Sequence, residues 1–138
     1  MATYSDPENI EIVGTPEFKK AMRDALELLK DKAPEDYRFV GMYTKKIVLE
    51  NNTYPRAGIC SMTTYIPKIF KPDPYWWAGI LRHEAQHSKQ MYSANDDVTI
   101  TEPEAYEVEL ETLIKIGAPR NMIESAREWI KTKGWEQH

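Results

Sequence analysis

Two histidines one helical turn apart constrain this chain more than any other feature. His83 and His87 stand in the run His83-Glu84-Ala85-Gln86-His87, and they can act together only if the backbone around them is helical. In a helix, side chains four residues apart share a face, so both imidazoles can reach one tetrahedral ion such as zinc. The flanking residues predict that helix independently. Asp73-Pro74 supplies a cap and a first helical residue, and the helix is expected to run from about Pro74 to Tyr92. Glu84 is turned about 100° from His83, which leaves its carboxyl free to polarise a metal-activated water instead of ligating.

The rest of the chain reads as an α+β arrangement in one domain, residues 1–138. Thr15-Pro16 caps a first helix whose apolar residues Phe18, Met22, Ala25, Leu26 and Leu29 recur at helical spacing, ending near Lys32. Ala33-Pro34-Glu35-Asp36 reads as a turn. The segments Phe39–Tyr43, Lys46–Leu49 and Ala57–Ile66 are rich in strand-forming types and predict a small antiparallel sheet of two or three strands. Thr101-Glu102-Pro103-Glu104 has the form of a capping box, so a helix is expected from there to Ile116, stopping at Gly117. Pro119 starts a last helix, amphipathic through Met122, Ile123, Ala126 and Ile130, ending near Gly134.

A third metal ligand must come from elsewhere. His138 is terminal, which leaves the downstream carboxylates Glu102, Glu104, Glu107, Glu109 and Glu111. With Glu102 at the origin of a helical wheel, Leu113, Tyr106, Ile116 and Ala105 fall within about 60° of it, while Glu104, Glu107, Glu111 and Lys115 fall opposite. An unpaired carboxylate at the centre of an apolar face is costly, and a metal partner removes that cost. Glu102 is therefore the expected ligand, with Glu104 the alternative if the helix begins later. Glu109, about 20° from Glu102 on the same wheel, reads either as an acceptor for a histidine N–H or as a carboxylate paired with an arginine.

These residues resemble the gluzincin metallopeptidases, which carry His-Glu-x-x-His on one helix and a glutamate within Glu-x-x-Ala on a second. Here Glu102-Pro103-Glu104-Ala105 supplies the second pattern, with fourteen residues between His87 and Glu102. The resemblance covers roughly Ala57 to Gly117. It implies a zincin-like fold, Zn2+ held by His83, His87 and Glu102, and hydrolysis of a peptide or protein substrate with Glu84 as general base and acid. It also implies a strand before the active-site helix that receives substrate along its edge. Many gluzincins place an aspartate four residues after the ligand glutamate to hold a histidine, and Tyr106 stands there instead. The metzincin extension is absent, because Gln90 and Ser93 occupy the places of its glycine and third histidine. No transition-state stabiliser is identified. Two other readings remain open: a catalytically inactive zinc-binding interaction module of the same fold, and a metal-free helical adaptor.

Charge and cysteine usage narrow the partners. A formal net charge of -4 gives no general attraction to nucleic acid or to an anionic membrane. The lysines at Lys19-Lys20, Lys45-Lys46 and Lys68 to Lys71 read as solvated surface. Cys60 is the only cysteine, which excludes an intramolecular disulfide and a cysteine-rich zinc site, and it reads as a buried strand residue. With no recognisable signal peptide or bilayer-spanning run, the expected location is the cytoplasm. Tyr54, Tyr65, Trp76 and Trp77 read as core residues or as walls of substrate pockets.

Overall fold

The computed structural model describes residues 7–51, 55–58, 61–67, 73–92 and 98–134. A 3-10 turn (Pro7–Asn9) leads into β1 (Glu11–Val13), α1 (Pro16–Lys32), α2 (Pro34–Tyr43), β2 (Lys46–Glu50), β3 (Arg56–Ala57) and β4 (Thr63–Pro67). Three helices follow: α3 (Pro74–Tyr92), α4 (Val98–Lys115) and α5 (Arg120–Lys131). Thus the α+β class holds, with five α-helices and a four-stranded sheet among the described residues.

Helices begin where their caps form. Thr15 Oγ1 accepts the Phe18 N–H at 3.1 Å and Pro16 opens α1. Asp73 Oδ1 accepts from the N–H groups of Tyr75 and Trp76 at 3.0 and 3.3 Å, opening α3 at Pro74. Each cap satisfies donors that the first turn cannot pair internally. Gly117, at φ +73°, ends α4: its N–H donates to the Ile114 carbonyl, and the Ala118 N–H donates to that of Leu113. Only a residue without a Cβ takes that left-handed conformation at little cost.

Three expectations are corrected. First, Phe39–Tyr43 is the second half of helix α2, and the turn expected at Ala33–Asp36 contains its start. Pro34 is pre-set for a first helical position, and Tyr37, Val40 and Gly41 are buried at the i, i+3, i+4 spacing of one helical face. Packing of that face outweighs the strand preference of its residues. Second, the sheet is mixed, in the order β1-β2-β4-β3, with β1/β2 and β2/β4 parallel and only β3/β4 antiparallel. α1 and α2 form the long connection that a parallel β1/β2 pair requires, and the expected Ala57–Ile66 strand divides between β3 and β4. Third, α4 is already helical at Val98, so Pro103 lies inside it and Thr101 is no cap.

The core lies between the sheet and the helices. Ile12, Ile47, Thr64 and Ile66 present one sheet face, and Phe18, Met22, Leu26 and Leu29 of α1 pack with Val40 of α2 and Trp77, Leu81 and Ala85 of α3. α3 is thereby the central helix, in contact with α1, α2 and α4. It packs tightly on α4 at Gly79, where an added Cβ would meet Leu113 Cδ2 at 3.1 Å and Glu109 Cγ at 3.3 Å. α5 packs on α4 through half-buried Met122, Ile123 and Ala126. Among the described residues, no helix is long and apolar enough to cross a membrane.

Candidate metal centre

The buried face of α3 carries more than apolar side chains. Arg82, His83, Glu84, Ser88 and Gln90 are all buried on it, and a helix this polar must be matched by partners on its neighbours. Arg82 meets Asp36 of α2 at 3.0 Å, donates to Gln86 Oε1 at 3.0 Å, and lies over the Phe39 ring at 3.6 Å. Lys115 of α4 adds a second cation on Asp36, at 3.2 Å. This cluster fixes the rotation of α3 and so aims the next residue, His83, at α4.

His83, His87 and Glu102 converge. The two Nε2 atoms are 3.1 Å apart, and Glu102 Oε1 lies 2.5 Å from His87 Nε2 and 3.9 Å from His83 Nε2. These three side chains are close enough to hold one metal ion. Glu104, the alternative ligand, is exposed and outside that group, and Glu107 and Glu111 are exposed beside it. His138, Cys60 and Tyr54 lie outside the described residues. Trp77 is core, Trp76 is 43 % exposed, and Tyr65 lies beneath the Arg56 guanidinium, 4.0 Å from its ring centre.

Each imidazole is oriented from behind. His83 Nδ1 is 2.7 Å from Glu109 Oε1, and His87 Nδ1 is 2.8 Å from Gln90 Oε1. His87 Nε2 donates to Glu102 Oε1 at 2.5 Å; a bound cation would take the place of that proton, with Nδ1 of each imidazole turned to its own acceptor behind. Two nitrogens bound at about 2.05 Å to a tetrahedral ion stand roughly 3.3 Å apart, so the 3.1 Å between the two Nε2 atoms suits a pair of imidazole ligands, while the 2.5 Å from His87 Nε2 to Glu102 is a hydrogen-bond distance.

Gln90 was not legible as a site residue, although its place one turn beyond His87 puts it on the same face. Tyr106 takes a different role from the aspartate whose place it fills. Its ring packs edge-on against His83, with centroids 4.4 Å apart, while Glu109 holds the histidine.

The electrostatics reflect three carboxylates, Glu84, Glu102 and Glu109, around the two rings. Burial penalises a charged His83, but its hydrogen bond to Glu109 and the charges of Glu84, Glu109 and Glu102 outweigh it and raise its pKa. Burial raises the pKa of Glu84 despite the opposing pull of His83 and His87. Burial would also raise Glu102, but its hydrogen bond with His87 and the charges of both histidines hold it below the usual value. The Tyr106 phenol is pushed up to about 12 by burial, against a hydrogen bond with Trp129 and reinforced by the surrounding carboxylates.

Comparison with protein-family models, with curated proteins and with solved structures finds no match to this chain. The functional reading therefore rests on the site's own chemistry.

Proposed function

We propose that this protein is a zinc-dependent hydrolase of peptide bonds, a single-domain, gluzincin-like enzyme with a zincin-like fold. His83, His87 and Glu102 would hold the ion, and Glu84 would move the protons. The observation that carries the reading is the meeting of the three donor atoms with a buried carboxyl, Glu84, on the same helix turn. Zinc bound there supplies Lewis acidity, which polarises a carbonyl and acidifies water.

The protein's own groups do the rest. The Glu84 carboxylate takes the proton of the attacking water and returns it to the leaving amine. A pKa raised by burial brings the group nearer to neutral pH, where a general base that must also act as an acid works best. His87 and Glu102 keep one side of the cluster open, at 20 % and 24 % side-chain exposure. An extended substrate is read as lying along the outer edge of β3, adding main-chain hydrogen bonds to the sheet. The partner is thus a peptide or protein, and the net negative charge disfavours nucleic acid. A lone cysteine suits a reducing compartment, the cytoplasm.

Turnover of a mixed peptide library by the zinc-loaded wild type and by Glu84→Gln tests the reading. Cleavage by the wild type alone is expected. Equal cleavage by both removes Glu84 from the mechanism, and zinc binding without cleavage by either leaves a zinc-binding interaction module.

A further inference from the structure

Gln90 has no part in the proton transfers above, yet it is 5 % exposed and its amide is engaged on both sides. Nε2 donates to the Thr101 carbonyl at 3.0 Å and to Glu104 Oε2 at 3.2 Å, while Oε1 faces His87 Nδ1 at 2.8 Å. Chemistry fixes this orientation. A carbonyl and a carboxylate only accept, so the edge of the amide turned to Thr101 and Glu104 must be its NH2. The amide oxygen is then left to His87, whose Nδ1 must carry the proton. With Nδ1 carrying that proton, Nε2, the atom that faces Glu102 and His83, can exchange its own proton for a bound cation. The reversed amide would set oxygen against two oxygens.

Thr101 immediately precedes Glu102 in α4. One side chain therefore selects the tautomer of a histidine on α3 and holds the backbone beside a carboxylate on α4. A glutamate could replace the acceptor but not the donors, and it would set a second carboxylate against Glu104.

We infer that Gln90 is a positioning residue of the cation site, acting through the His87 tautomer and through the placement of Glu102 by way of Thr101. This rests on the metal-binding reading of His83, His87 and Glu102, and it is independent of whether peptides are cleaved.

Zinc dissociation constants, measured by competition with a chelator, test it in the wild type, Gln90→Met, Gln90→Glu, His87→Ala and the His87→Ala/Gln90→Met double variant. Circular dichroism and melting of the metal-free proteins run alongside. Gln90→Met is expected to keep its helix content and to weaken zinc binding about 10–100-fold, the size typical of a lost partner behind a ligand. Gln90→Glu should also weaken it, although an acceptor for His87 remains. Most of the Gln90→Met loss should vanish once His87 is alanine, because the two residues act as one unit. Folded Gln90→Met with wild-type affinity overturns the inference, as does an equal loss in both backgrounds, which would mark a packing effect. If Gln90→Met does not fold, Gln90→Glu decides: weaker zinc supports the role and unchanged zinc overturns it. A wild type that binds no zinc defeats the metal reading itself, whereas zinc binding without turnover defeats only the hydrolase.

Discussion

Adding zinc to the metal-free protein should raise its melting temperature by an amount that the site and the chain length together set. Any ligand that binds the folded state alone stabilises it by RT ln(1 + [L]/Kd), about 4.1 kcal/mol at a free concentration a thousandfold above Kd. Unfolding releases roughly 2.1 cal/mol/K per residue, so a chain of 138 residues gains about 0.29 kcal/mol/K. The melting temperature is then expected to rise by roughly 14 °C. Glu102→Gln keeps the shape of the side chain but removes its charge from a cluster in which Oε1 stands 2.5 Å from His87 Nε2. A hundredfold loss of affinity leaves the same zinc concentration about ten times Kd and a shift of only about 5 °C. Scanning calorimetry of both proteins, with zinc and with excess chelator, reads these differences. A wild-type trace that chelator leaves unchanged, or a Glu102→Gln protein that retains the whole shift, would refute the assignment.

Other substitutions and conditions give further checks. Glu84→Gln should lower peptide turnover by about 10²–10⁴-fold while zinc affinity holds. The same variant, metal-free at neutral pH, should melt above the wild type, because it removes a carboxylate that burial disfavours. Asp36→Ala strips Arg82 of its buried carboxylate, both side chains being about 10 % exposed. The expected cost is about 3–5 kcal/mol, read in calorimetry as a fall of roughly 10–17 °C. With pH, both His83 and Glu84 have folded pKa values above their ordinary 6.5 and 4.5. Each therefore contributes stability that is full below its ordinary value and is lost as pH rises through its folded one. Glu102, held low, contributes stability that disappears only as pH falls below 4.5 towards its folded value. The metal-free melting temperature should thus decline as pH rises above 4.5 and on through 6.5, and the zinc-loaded protein should show the reverse because protons compete with the ion. Parallel pH series of melts test this, and a flat metal-free curve would contradict it.

Several features set by neighbours in the chain were legible in the sequence, although the capping box read at Thr101 was not one of them because α4 begins at Val98. The caps at Thr15 and Asp73 and the stop at Gly117 are short-range devices, and each appears as expected. The wheel that placed Glu102 and Glu109 on the buried face survives even though α4 begins at Val98, since an earlier start leaves the angles between residues unchanged. Pairings between distant segments were not legible. β1 has three residues and one buried side chain, Ile12, too short for alternation to mark it. The parallel registers depend on where α1 and α2 return the chain, and α2 itself is helical because of what Tyr37, Val40 and Asp36 meet across the core. Gln90 escaped notice for a related reason: one of its partners is the Thr101 carbonyl, and backbone groups leave no residue-type signature.

All three donor groups fall between His83 and Glu102, on two consecutive helices joined by a short connection. Assembling them requires one loop to close and one helix pair to dock, a more local event than the β1/β2 pairing, whose partners Glu11 and Lys46 lie farther apart in the chain. An ion captured there would fasten α3 to α4 much as a covalent cross-bridge fastens two segments, in a chain whose single cysteine cannot form one with itself. The smallest piece that would hold a cation is therefore a helical hairpin, and the strands are left free to differ without removing its donor groups.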